Sequence, residues 1–212
     1  MIRLISSLYF LGLGTASAVT LFQTETFDSG VAGFREGASS PNAPVNIGGE
    51  LSNTASGSGA GGRLLMWTDS AEWTGSFVGA TAVTLDARAE TNSINLRLAI
   101  NGPGGWFVTN DQILAADGSF STLSFSLDEA NFTRITTNGT TGIFRDTFDV
   151  VTRFEILSSV SDTPSLAPAN GTFLRGDNIA ATLVIDNLTA VPEPSSTMLL
   201  GLALCGFLRR KR

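Results

Sequence analysis

No histidine occurs anywhere in the 212 residues, and the one cysteine, Cys205, and the one lysine, Lys211, both lie in the last eight positions. Nucleophilic triads and metal sites that need an imidazole are therefore excluded. Thiol and Schiff-base nucleophiles are missing from everything before that tail. Carboxylates are the hydrolytic machinery that remains, since a glycosidase needs only two of them ~5–10 Å apart. The 19 Asp and Glu offer many pairings, but no motif singles one out. Most stand beside turn residues, where a carboxylate caps the loop and stays solvated. The reading is a chain with no catalytic residues, not an enzyme.

Aromatic rings offer a different chemistry, because a flat ring stacks on the apolar face of a sugar. Trp67, Trp73 and Trp106 all lie near loop residues. Trp67 and Trp73 read as core, the usual place of so large a ring. Trp106 fits core or ligand equally, because the glycines of Asn101-Gly102-Pro103-Gly104-Gly105 would let backbone approach a ligand closely. Asn101 and Asp111 flank that turn and supply hydrogen bonds to hydroxyls, so Trp106, Asn101 and Asp111 form the candidate glycan-binding set. Sequons at Asn131, Asn138, Asn170 and Asn187 read as chance matches in a chain rich in Asn and Thr.

The two ends carry signals of their own. Arg3 precedes an apolar run over Leu4 to Leu13, and Ala16-Ser17-Ala18 supplies the small residues of a cleavage site, so residues 1–18 read as a secretory signal helix removed by signal peptidase. At the other end Val191-Pro192-Glu193-Pro194-Ser195 leads into an apolar stretch and then Arg209-Arg210-Lys211-Arg212. Two prolines bar regular helix or a central strand, so the folded domain should end just before them. From Ser195 the apolar stretch has 14 residues, short of the ~20 that cross a bilayer core comfortably. The basic tail extends its reach and favours the cytoplasmic side. Without Arg3, Glu193 and the four tail cations, residues 19–190 keep eight arginines against eighteen acids, a net charge of −10. A domain so acidic repels nucleic acid.

What lies between must position these residues, and its pattern is that of strands. Nine windows alternate with period two or form short apolar runs between turns: 20–27, 63–67, 73–78, 82–89, 94–100, 106–109, 120–127, 150–157 and 181–188. A Gly/Ser-rich loop is expected over Ser56 to Gly62, and a short helical turn near Asp128 to Phe132. The expectation is all-β, a single antiparallel β-sandwich over 19–190, flanked by the N-terminal signal helix and a C-terminal apolar helix.

Pro192-Glu193-Pro194, a short apolar segment and a terminal basic cluster resemble the PEP-CTERM sorting signal of exosortase substrates. That resemblance implies recognition of the tripeptide by exosortase, a transient hold in the inner membrane through 196–208, and release to the cell surface or extracellular matrix of a Gram-negative-type bacterium. The opening Glu25-Thr26-Phe27-Asp28 and Gly33-Phe34, the later Trp73-Thr74-Gly75-Ser76-Phe77 and Gly104-Gly105-Trp106, and the closing Val184-Ile185-Asp186-Asn187-Leu188 resemble jelly-roll carbohydrate-binding modules and laminin-type domains. This second resemblance implies polysaccharide as the ligand class. It also implies a structural calcium ion held by Glu25, Asp28 and Asp186, although Asp28 equally suits an Asp-Ser-Gly turn and Asp186 a strand cap. No cofactor is required. The alternatives are a structural or adhesion protein with protein partners, and a carboxylate-dependent glycan hydrolase or lyase.

Overall fold

The computed structural model describes residues 18–21, 23–37, 43–59, 61–135, 142–166 and 173–193. Both expected terminal helices lie outside them, as do Ala16, Pro194 and Arg209 to Arg212. In chain order the described strands are β1 (Thr24–Glu25), β2 (Arg35–Glu36), β3 (Val45–Ile47), β4 (Glu50–Ser56), β5 (Leu65–Thr68) and β6 (Ala80–Glu90). Then come β7 (Ile94–Gly102), β8 (Gly105–Thr109), β9 (Gln112–Leu114), β10 (Ser121–Ser126) and β11 (Phe132–Ile135). Helix α1 (Phe144–Asp149), β12 (Arg153–Ser158) and β13 (Ala180–Pro192) complete the set.

The strands form two antiparallel sheets. The first runs β10-β6-β13-β4-β3 with β1 also on β13, and the second runs β11-β8-β7-β12-β5-β2 with β9 also on β7. Period-two alternation sends Val83, Leu85, Ala87 and Ala89 of β6 and Leu183 and Ile185 of β13 into the space between the sheets. There they meet Ile94, Leu96, Leu98 and Ile100 of β7 and Phe154 and Ile156 of β12. A chain of rings closes one part of this core. Phe154 lies 6.4 Å from Phe34, 5.3 Å from Trp73 and 6.3 Å from Phe77, and Phe77 continues to Phe148 at 6.1 Å.

Several expectations are corrected. Residues 73–78 form turns and single bridges rather than a strand, because their backbone groups go to residues far along the chain: Gly75 exchanges hydrogen bonds with Val151, and Phe77 N–H donates to Phe148. Only Thr24 and Glu25 of the first window are strand. Strand β4 escaped the sequence pattern because one of its inward positions is Asn53 rather than an apolar residue. The prolines do not end the domain at residue 190, since β13 continues through Pro192. There β13 has outrun β4, whose last partner is Ile185, and a register shift between Val191 and Pro192 accommodates the missing N–H. The expected helical turn is present as a 3-10 turn over Glu129–Asn131, capped by the Asp128 carboxylate.

Phe154→Ala would empty the centre of the ring chain. The expected loss is ~3–5 kcal/mol of unfolding free energy, read from urea denaturation, with the β spectrum of the native state retained.

Candidate functional site

The second sheet's outer face carries the tryptophan singled out by sequence, but another segment covers it. Trp106 packs with Leu65, Ala99, Val108, Ile135 and Leu157, beneath Leu166 and Leu174. It is 3% exposed. Asn101 stands opposite Trp106 in the β7–β8 ladder, and its carbonyl accepts from Thr152 N–H at 2.7 Å. Asp111 lies toward the other end of β7, where it accepts from Asn95 Nδ2 at 2.6 Å and pairs with Arg97 at 3.4 Å. The Asn95 hydrogen bond and then the Arg97 charge hold Asp111 below the usual carboxylate range, against the opposing effect of burial. The structure thus does not bring Trp106, Asn101 and Asp111 together.

The glycines before Trp106 serve a different neighbour from the one their pattern suggested. A Cβ on Gly104 would collide with the Ile143 carbonyl, and one on Gly102 with the Val150 carbonyl. They admit the α1 segment, which is fastened by Thr147 Oγ1 donating to Gly105 O at 2.9 Å. Each of the expected calcium ligands accepts a local hydrogen bond. Glu25 Oε1 accepts from Phe27 N–H at 2.8 Å, Asp28 Oδ2 from Thr26 Oγ1 at 2.8 Å, and Asp186 Oδ1 from Asn187 N–H at 2.7 Å. Asn46 Nδ2 donates to the Phe27 and Gly30 carbonyls of the same turn. Among the described residues no group of three or more Asp, Glu, Cys or His side chains gathers where it could hold a metal ion. Asp186 and Asn187 instead form a β-bulge in β13, with Asn187 at φ 51° and its Nδ2 donating to Asp86 at 2.8 Å.

Two strands from Trp106, the same covered face holds the most perturbed acid among the described residues. Glu155 is fully buried, which pushes its carboxyl up to about 8 despite the Leu174 N–H at 3.1 Å and the charge of Arg153. Arg153 is stacked 4.4 Å from the Trp67 ring centroid and 4.8 Å from that of Phe173. Trp67 also donates from Nε1 to Glu36 O at 2.7 Å, and Arg35 beside it pairs with Asp69 at 2.8 Å. Alternation in Arg153-Phe154-Glu155-Ile156-Leu157 correctly turns Phe154 and Ile156 inward. It gives no sign that a segment nearly twenty residues on seals the other face.

An open aromatic groove lies at the edge of the second sheet, on β8, β11 and the start of α1. It measures about 340 Å³ and is lined by Phe107, Phe132, Phe144, Ile143, Glu129 and Arg134. Antiparallel pairing sets Arg134 opposite Phe107. Phe144 stands edge-on to Phe107 at 5.3 Å and tilted against Phe132 at 4.9 Å. Phe132 and Arg134 are half-buried and Glu129 is exposed. Phe107 and Phe144 are buried in the core, so half-buried Phe132 is the ring that a ligand would meet, with the Glu129 carboxylate and the Arg134 guanidinium at the rim. Sequence reasoning missed this groove because Phe132 and Phe144 fall outside the strand windows, and only the fold brings them to Phe107. Across the molecule, on the first sheet's outer face, Arg88 pairs with Glu50 at 3.1 Å and with Glu90, and lies 5.3 Å from the Phe120 ring.

Glu155→Gln isolates the buried acid. The proton that the folded chain retains to about 8 is lost near the usual 4.5 on unfolding, so this contribution is complete below 4.5 and is lost progressively as pH rises towards 8. The urea midpoint of the parent chain should fall between about pH 5 and about pH 8, and that of the glutamine variant should fall less.

Among the described residues no helix is long and apolar enough to cross a membrane. No curated protein matches the sequence. Solved structures resemble the fold distantly. The family 11 carbohydrate-binding module of the cellulosomal cellulase Lic26A-Cel5E of Clostridium thermocellum is 16% identical, with 83% of this chain and 96% of that one covered and a TM-score of 0.49. CBM28, a carbohydrate-binding module specific for non-crystalline cellulose, is 12% identical over 83% of this chain and 97% of its own, with a TM-score of 0.44. A point mutant of the family 29 module CBM29-2, complexed with mannohexaose, is 11% identical over 69% and 73%, with a TM-score of 0.38. Residues 190–212 match the PEP-CTERM protein-sorting motif, which implies export and sorting to the cell surface. The described residues thus form a two-sheet antiparallel β-sandwich, and the chain carries a PEP-CTERM sorting motif over residues 190–212.

Proposed function

We propose that this is a non-catalytic component of the cell surface or extracellular polysaccharide matrix of a Gram-negative-type bacterium, and that it binds glycan in the groove of Phe107, Phe132 and Phe144. Signal peptidase acts after Ala18. Residues 196–208 then hold the precursor in the inner membrane, and exosortase acts at Pro192, Glu193 and Pro194. The sorting motif supports the address. One observation carries the ligand assignment: the groove presents half-buried Phe132, backed by the buried rings of Phe107 and Phe144, with a carboxylate from Glu129 and a guanidinium from Arg134 at its rim. Trp106 supports it less well, being enclosed by the covering segment. The net charge of −10 over residues 19–190 disfavours nucleic acid as partner and leaves neutral polysaccharide as the better fit.

One observation favours the structural or adhesion reading. Edge strand β3 presents Val45 and Ile47 at 49% and 61% exposure, a site for strand addition by a protein partner.

A glycan array with and without calcium decides between the two. Binding to at least one neutral polysaccharide is expected, and Phe132→Ala should weaken it roughly tenfold, the worth of ~1.4 kcal/mol. Glu129→Gln should weaken it by a smaller factor. No binding to any polysaccharide in either condition sinks the glycan assignment. Mass spectrometry of the mature protein from its native host should show a product without Arg209 to Arg212. A product that retains them reduces the tail to an anchor.

A further inference from the structure

The first residues of the sorting motif are also the last described residues of the sandwich. Ala190 is fully buried in the core. Beyond it Val191 pairs with Ala82 and Pro192 with Ala80. Glu193 N–H donates to Gly79 O at 2.7 Å, and Thr81 Oγ1 lies 3.4 Å from the carbonyls of both Val191 and Pro192. The segment they dock on is itself pinned from behind. Phe77 N–H donates to Phe148 O at 2.9 Å, and Thr81 O accepts from Leu127 N–H at 2.9 Å. Gly79 adopts φ +92°, a left-handed backbone that disfavours any side chain there. The same segment holds the other end of the domain: Val19 N–H donates to Ser76 O at 2.9 Å, and Leu21 bridges Ala190 in parallel.

A processing peptidase needs its substrate as extended backbone whose N–H and C=O groups are free to pair with the enzyme. Here the Glu193 N–H and the Val191 and Pro192 carbonyls already have partners within the fold. We propose that residues 76–82 clamp Pro192 and Glu193 into the sheet, so that the folded domain masks its own sorting motif and is processed only when the end of β13 peels away from β6. This inference rests on the reading that the chain is processed at that motif. Peeling is local. Val191 and Pro192 are half-buried and Glu193 is exposed, whereas Ala190 and Leu188 are buried, so opening runs back to Ala190 and stops there. The mask therefore slows processing and sets its pace without forbidding it.

The test follows conversion of precursor to product by pulse-chase of the full chain in its native host. Inserting Gly-Ser-Gly-Ser between Ala190 and Val191 frees the motif from the clamp and should speed conversion several-fold. Pairing Ala82→Cys with Val191→Cys, at half-exposed positions directly opposite each other in the ladder, should lock the strand end and slow conversion at least tenfold, with recovery on adding a reductant. Hydrogen exchange on the purified full chain in detergent should show a protected Glu193 amide. An unprotected amide overturns the clamp. So do insertion and locked variants processed at the parent rate while joint replacement of Pro192, Glu193 and Pro194 by alanine blocks processing, and that result leaves the sorting reading standing. If the triple alanine variant is processed normally, both fall.

Discussion

Strand β13 is hydrogen-bonded along both edges, to β6 on one side and to β4 and β1 on the other. The first sheet cannot close without it, because β4 and β3 reach β6 only through this strand. Its inward residues Leu183, Ile185, Leu188 and Ala190 are all buried, and the Asp186–Asn187 bulge is what returns Leu188 to the core side. The first sheet is therefore complete only with this strand, the last among the described residues, and the strand runs into the sorting motif.

The two outer faces show how the same alternation leads to opposite environments. On the first sheet, Arg88, Glu50 and Glu90 remain partly exposed and neutralise one another in a way that water screens easily. On the second, Arg153 and Glu155 stand at equally outward positions but lie under Phe173 and Leu174. There the arginine exchanges water for two aromatic faces, and the carboxyl retains its proton. A covered acid of this kind makes stability fall as pH rises from about 4.5 to about 8.

Much of the core was legible in sequence. Val83, Leu85 and Ala87, and the run Ile94, Leu96, Leu98 and Ile100, alternate cleanly and are buried as that alternation requires. Strand β4 was not legible, because inward Asn53 breaks the apolar rhythm, nor was α1, which is a single short turn of helix. Of the aromatic groove only Phe107 fell within a window that read as a strand. Phe132 lay at the end of an expected helical turn, and Phe144 in a stretch without periodicity. The Gly102–Gly105 turn was recognised, but its purpose was not, since the backbone that approaches those glycines belongs to residues some forty positions on.

By itself the sequence determined which chemistries are open to this protein, and where its chain is sent. Those follow from which side chains exist and from a short motif read as a linear string, and neither depends on folding. Only the tertiary structure decided which outward-facing residues meet water. Whether Trp106 stacks on a ligand or on Leu174, and whether Glu155 is a charge or a neutral acid, depends on which distant segment crosses the sheet. Whether Pro192 and Glu193 are free or held depends likewise on Gly79 and Thr81, residues more than a hundred positions away in the chain. Alternation specifies the side of a sheet on which a residue lies, and long-range packing specifies what covers that side.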